Sequence, residues 1–171
     1  MATTLSPPDD DVFQSMGFQV HHWAMHDGDD VVVLQKEPLR MEWYFTQVVT
    51  FLFLIRRHVD AIDELDHDFA PLLAFAKAHK RTWLPRGLQC GYALLPVYVG
   101  TDFNDDLKRR VRALPKKRWC LFHAPSLFDV ETMRLTTVTG LSLWGRVYAD
   151  YIYRTIAETT QVLVADAAIH V

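Results

Sequence analysis

The chain has little cysteine, and neither cysteine is placed for a cross-link or a metal site. Its two cysteines, Cys90 and Cys120, lie outside any CxxC or Cys/His ligand spacing. The sequence therefore does not indicate a disulfide framework or a zinc site. We expect both thiols to be free in a reducing compartment, and we expect the protein to be cytoplasmic.

Glycine is scarce as well, and the motifs that depend on it are missing. Seven glycines are scattered along the chain, and Gly100 has neither a companion glycine nor a following GK[ST] pair. Ser126 follows Pro125 in no G-x-S-x-G context. Cys120 and His123 would lie on opposite faces of one short strand. We therefore expect no cofactor, and we lean against an enzyme.

Targeting and membrane signals are not evident. The first residues, MATTLSPPDDDVF, have no basic segment followed by an apolar one, so they do not resemble a secretory signal. The most apolar run, 43–55, ends at Arg56 and Arg57 and is shorter than the roughly 20 residues that cross a bilayer. We expect a disordered acidic arm at 1–14, a buried core helix over the apolar run, and no membrane partner.

The rest of the chain has an ordinary globular composition. The 171 residues are 50% hydrophobic and 23% charged, which suits one domain with a substantial core. We therefore expect a single α+β domain over 15–171.

Charge is unevenly distributed, although the net charge is only -3. Residues 1–30 contain six aspartates and no Lys or Arg, whereas 108–118 contain seven bases and no acid. The aspartates are Asp9, Asp10, Asp11, Asp27, Asp29 and Asp30. The bases are Lys108, Arg109, Arg110, Arg112, Lys116, Lys117 and Arg118. The acidic arm could cover the basic segment within one chain or across a dimer; a bare segment would instead indicate an anionic partner.

The hydrophobic patterns predict an α+β class, with a mixed-sheet α/β arrangement as the alternative. We expect one sheet of about five strands, two hairpins and four helices. The strands 18–25 and 31–36 flank a turn containing Asp27 and Gly28. Helices are predicted over 41–58 and 65–79, and a βαβ unit over 91–123 has a helix that Asn104 caps. A second hairpin turns near 130–132, a last helix begins at Ser142, and the tail could extend it or form an edge strand.

Two clusters resemble metal sites by composition alone. His21, His22 and His26 lie near Asp27, Asp29 and Asp30, but adjacent strand residues point to opposite faces of a sheet. In the second cluster His58 and His67 are nine residues apart, rather than the three or four that align two ligands on a helix. Asp60, Asp63 and Asp66 accompany them at a predicted helix junction. We expect no metal at either place.

The first hairpin and the elements after it form a recognisable arrangement. Asp29 or Asp30 begins a hairpin strand that ends at Gln35 and Lys36, and a helix and a strand–helix–strand unit follow. This arrangement resembles that of the restriction-endonuclease-like nucleases. The resemblance implies that these four side chains form a metal-dependent active site. The chain departs from the family's pattern because Gln35 and Lys36 are adjacent, without the spacer residue that separates an acid or Gln from the Lys.

These observations lead to a main functional hypothesis and an alternative. The main hypothesis is a non-catalytic module that self-associates or binds another protein, because the apolar and aromatic segments could form interfaces. The alternative is a nucleic-acid-binding or nuclease-like protein that contacts phosphates through the basic residues of 108–118.

Overall fold

A computed structural model describes residues 9–25, 28–38, 47–82, 90–113, 121–139 and 146–169. The chain enters through helix α1, Asp10–Ser15, and continues into the antiparallel strands β1, Gln19–Ala24, and β2, Asp30–Lys36. Gly28, in the turn between them, has a φ of 81°, a conformation that glycine adopts without a steric penalty. The predicted first hairpin is confirmed.

The third strand, β3 (Gln47–Ile55), corrects a prediction. The sequence predicted a helix over 41–58, whereas 47–55 is a strand between β2 and a parallel neighbour; 41–46 lie outside the described residues. Eight of its nine residues are buried, from Val48 to Ile55. Because both faces of this strand are covered, its apolar residues do not alternate with polar ones, and periodicity could not distinguish it from a buried helix.

The predicted βαβ unit is present beyond β3. Helix α2, Ile62–His79, leads to β4, Cys90–Gly100, which runs parallel to β3. Helix α3, Asp105–Ala113, then leads to β5, Leu121–His123, which is parallel to β4. The Asn104 side chain accepts a hydrogen bond from the Leu107 backbone N–H at 2.7 Å, which confirms the predicted cap of α3.

The second predicted hairpin completes the sheet. Strand β6, Ser126–Asp129, pairs with β4 further along the same edge as β5, and β7, Arg134–Thr137, is antiparallel to β6. The seven strands lie in the order β1-β2-β3-β4-β6-β7, with β5 beside β4. The class is therefore α+β with a mixed sheet. The strand count exceeds the predicted five in part because β3 was assigned to a helix.

Helices cover both faces of this sheet. Phe51 and Phe53 of β3 share one core with Leu65 of α2 and with Leu107 and Val111 of α3. On the opposite face, Leu52 and Leu54 share a core with Phe13 of α1 and with Ile152 and Ile156 of the last helix, α4, Arg146–Ile169. Helix α4 continues through the tail, so the described part of that segment is helical. Ser142 lies outside the described residues.

Part of the predicted N-terminal arm is helical in the structure, and the described helices also bear on the membrane expectation. Residues 10–14, which fall within the predicted disordered arm, belong to α1, and Phe13 is buried there. Among the helices of the described residues, none combines the length and apolar character that a membrane crossing requires.

Candidate functional site

Helix α3 has three chemically distinct stripes. Leu107 and Val111 are buried in the core, which fixes the orientation of the helix on the sheet. Asp105, Lys108 and Arg112, spaced by three and four residues, face the β6–β7 hairpin. The remaining charged residues of the helix point outward. One stripe of the predicted basic segment is therefore directed at a protein surface rather than at open solvent.

The hairpin supplies the opposite wall. Leu127 pairs with Thr136 and Asp129 pairs with Arg134, so these four side chains share the face on which α3 packs. The Asp129 carboxylate, through Oδ1, accepts hydrogen bonds from the Glu131 and Thr132 backbone N–H groups, both at 3.1 Å. The carboxylate thereby shapes the turn, and its charge is partly satisfied by these donors.

A cleft of about 190 Å³ lies between these walls. Because pockets for drug-sized ligands are typically about 300–1,000 Å³, this cleft suits one charged group better than a whole nucleotide. The lining residues are Phe103, Asp105, Lys108, Arg112, Leu127, Asp129, Thr132, Arg134 and Thr136.

Unpaired cations define the chemistry of this α3–hairpin cleft. Arg112 and Arg134 form no ion pair with any described residue, and Lys108 is 3.9 Å from Asp105, a carboxylate that is itself fully exposed. The Thr136 hydroxyl makes no hydrogen bond to the described part of the chain, although Thr136 is buried. Two guanidinium groups and a hydroxyl of the lining therefore have donors that no described residue occupies, in a cleft that also contains the Asp105 and Asp129 carboxylates.

The outward stripe of α3 is different, because its cations are already paired. Arg109 Nη2 and Arg110 Nε lie 2.7 and 2.6 Å from the two carboxylate oxygens of Asp106. The hydrogen bonds from Arg109 and Arg110 lower the pKa of the Asp106 carboxyl. Of the seven predicted contact residues, Lys108 and Arg112 line the cleft and Arg109 and Arg110 do not. Lys116, Lys117 and Arg118 lie outside the described residues.

A second arginine cluster lies where β3 ends. Arg57 contacts Asp68 of α2 through Nη2 and Asp29 through Nη1, the latter at 3.1 Å. The Tyr98 hydroxyl donates to Asp68 Oδ2 at 2.9 Å. Burial, and then the Asp68 carboxylate, raise the pKa of Tyr98 well above its usual 10. Burial lowers the pKa of Arg57, but Asp68 and Asp29 outweigh it, so the net shift is upward. We call this set the Arg57 network.

The residues of the nuclease resemblance lie in separate places. Asp29 is bound to Arg57, and Asp30 is exposed at the start of β2. Gln35 is about 17 Å further along the strand, where its side chain bonds to His21, Glu37 and the His79 carbonyl.

Lys36 projects to the opposite face of the sheet from Gln35. Its Nζ donates to the Met16 carbonyl at 2.8 Å and lies over the Phe18 ring. Within the described residues, the structure does not gather Asp29, Asp30, Gln35 and Lys36 into one site.

The histidine clusters are engaged in local contacts. His22 lies 3.0 Å from Asp10, and His58 lies 2.9 Å from Asp60. Across the described ranges, no group of three or more His, Cys, Asp or Glu side chains is placed to hold a metal ion. His26 and Asp27 lie outside those ranges, and so does Cys120, while Cys90 is buried.

Comparisons of the chain with protein-family models, with curated proteins and with solved structures find no match. The α3–hairpin cleft is therefore the main basis for a functional hypothesis. Its second wall, with Thr132, Arg134 and Thr136, was not predicted from the sequence, because Arg134 is distant from the basic segment along the chain.

Proposed function

We propose that the protein is a non-catalytic association module that holds an acidic group of a partner protein in the α3–hairpin cleft. The observation that carries this proposal is the pair Arg112 and Arg134, which face one concavity without a carboxylate partner among the described residues. A carboxylate fits such a site well, because guanidinium groups bind it in a fixed, bidentate geometry.

The lining supports binding rather than reaction. Arginine stays protonated at accessible pH, so Arg112 and Arg134 offer charge and donors but do not transfer protons. The Asp129 carboxylate is committed to two backbone donors of its own turn. The cleft therefore has the parts of a recognition site for one anionic group.

Nucleic acid is the second candidate partner, on the strength of the basic segment that continues beyond α3. A phosphate backbone is normally contacted by a tract of free cations. On the outer stripe of α3, however, Arg109 and Arg110 are paired with Asp106. The concave cleft, rather than the convex outer face, holds the free guanidinium groups, and this favours a single acidic group over a continuous strand.

An NMR titration tests the proposal. A short oligo-glutamate peptide is added to the ¹⁵N-labelled chain at an ionic strength of about 20 mM, where screening is weak. We expect the largest amide shifts at Lys108, Arg112, Thr132, Arg134 and Thr136. Replacing both cleft arginines, Arg112→Gln with Arg134→Gln, should weaken binding about tenfold or more, since two charged contacts are lost.

The matched control is Arg109→Gln with Arg110→Gln, which removes the same charge from the outer stripe of the same helix. This control should bind the peptide nearly as well as the unmodified chain. Shifts that avoid the cleft, or equal losses in both variants, would contradict the proposal. A single-stranded oligonucleotide that binds more tightly than the peptide, with both variants weakened alike, would instead support the nucleic-acid alternative.

A further inference from the structure

Asp9 to Asp11 and the α3–hairpin cleft lie on opposite sides of the sheet. Helix α1, with Asp9 to Asp11 at its start, leads into β1 at one edge of the sheet, and its Phe13 packs on the α4 face. The α3–hairpin cleft is formed at β7, the other edge, on the α2 and α3 face. Five strand spacings of about 4.8 Å separate these edges by about 24 Å. Asp9 to Asp11 therefore do not reach the cleft of their own chain.

Of the three aspartates at the start of α1, one carboxylate makes no contact with a described cation. The Asp9 side chain caps the helix by accepting from the Asp11 backbone N–H at 3.1 Å, and Asp10 lies 3.0 Å from His22. The Asp11 carboxylate is exposed and makes no contact with a cation of the described residues. Asp11 is thus the acidic counterpart of the unpaired cleft arginines.

Exposed apolar residues occur both at the start of α1 and in the β6–β7 turn beside the cleft. In the described part of the chain, the most exposed large apolar side chains are Val12, at 41%, and Met133, at 40%. Val12 follows Asp11 on α1, and Met133 lies between the cleft residues Thr132 and Arg134. At each surface an exposed apolar residue is therefore the chain neighbour of a residue with a free charge, and the two charges are of opposite sign.

We propose that the acidic partner held in the cleft is a second copy of this chain. The first turn of α1 of one copy docks at the cleft of another, with Asp11 between Arg112 and Arg134 and Val12 against Met133. This inference rests on the proposed function. Because the two surfaces are different and lie on opposite sides of the sheet, the contact is heterologous and joins copies head to tail, into a ring or an open chain of copies. The patches are small, so the association should be weak and sensitive to salt.

Sedimentation velocity of the full chain tests this contact. We expect self-association at an ionic strength of about 20 mM and its loss at about 500 mM, where the Debye length is only a few ångströms. Asp11→Lys should weaken the association about tenfold or more, because it places a cation against the cleft, while Asp9 and Asp10 keep their own contacts. Arg112→Glu with Arg134→Glu should weaken the association to a similar extent, because the altered cleft is negative and repels Asp11.

Mixing the two variants gives the sharpest result. Neither variant should associate with itself. In the mixture, the Asp11→Lys copy places its new positive charge in the cleft that Arg112→Glu and Arg134→Glu have made negative. The unmodified Asp11 of the second variant meets the unmodified cleft of the first. The mixture should therefore regain the association of the unmodified chain. Controls with the same change of charge are Asp63→Lys, in the exposed first turn of α2, and Lys77→Glu with Arg154→Glu, on exposed helix positions. The controls should leave association unchanged.

Two results would overturn the second-copy contact. One is a chain that stays monomeric at low ionic strength, and the other is an association that neither variant weakens and the mixture does not restore. Failure of this contact differs from failure of the proposed function. If only the contact fails, the oligo-glutamate peptide still shifts the cleft residues of a monomer, whereas if both fail, the peptide leaves the cleft unchanged.

Discussion

The molecule uses arginine in two contrasting ways. In the Arg57 network the guanidinium group is held by Asp68 and Asp29, and Asp68 also accepts from the buried Tyr98. In the α3–hairpin cleft, Arg112 and Arg134 have no acidic partner within the described residues. A cation whose partners are built into the fold contributes to stability, while one without partners is available for recognition. Substitution in the Arg57 network should therefore lower the free energy of unfolding, whereas substitution of the cleft arginines should leave it nearly unchanged and impair binding.

The largest expected effect is in the Arg57 network. The Asp68 side chain is only 4% exposed, and Asp68→Ala leaves Arg57 and Tyr98 without their shared acceptor. Breaking a buried pair from one side typically costs about 3–5 kcal/mol, and we expect about 3 kcal/mol here because Arg57 is partly solvated. Urea unfolding measures this change. The exposed Asp63→Ala on the same helix is the control, and equal losses in the two variants would contradict the structural role.

A smaller and pH-dependent effect is expected at Tyr98. Tyr98→Phe removes one buried hydrogen bond and should lower the free energy of unfolding by about 1–2 kcal/mol near neutral pH. The folded state raises the pKa of Tyr98, first by burial and then through Asp68, so it favours the neutral phenol. The stabilisation by the neutral Tyr98 phenol is fully present below the unfolded-state pKa of about 10, and it declines as the pH rises above that value.

The unmodified chain and Tyr98→Phe should therefore approach each other in stability at alkaline pH. Urea unfolding at about pH 8 and about pH 10.5 gives the two differences, on either side of the ordinary tyrosine pKa. A difference that stays constant across this range would show that Tyr98 ionises equally in both states.

The smallest effect is expected at the cleft. Arg112→Ala with Arg134→Ala should change the free energy of unfolding by no more than about 0.5 kcal/mol, because both side chains are exposed and break no ion pair to the described residues. The same urea experiment measures it. A loss comparable to that of Asp68→Ala would show that these arginines stabilise the fold and would remove the contrast between the two sites.

Much of the fold could be predicted, because most elements carry a local signal. The first hairpin has Gly28 in its turn, Asn104 caps α3, and the second hairpin turns where expected. Strand β3 was mistaken for a helix because a strand buried on both faces has no alternation. The β-branched and aromatic residues of QVVTFLFLI were the signal that favours a strand.

The site was only half predictable, because half of it depends on tertiary contact. Lys108 and Arg112 belong to an evident basic run, but Arg134 joins them only through the packing of α3 on the hairpin. The difference between the paired and unpaired arginines of this run had a local signal in the sequence. Asp106 precedes Arg109 and Arg110 by three and four residues, a spacing that pairs opposite charges on a helix.

Strand β3 has a consequence for how the chain is made. It pairs with β4 residues forty-three positions later, as Gln47 does with Cys90, and its buried run contains neither a charged residue nor a proline. At a synthesis rate of about 5–20 residues per second, the ribosome takes roughly 2–9 s to deliver that partner. During this interval the nascent strand has an unpaired edge and the composition that promotes intermolecular β-aggregation. This segment is therefore exposed to pairing with other chains until β4 has been made.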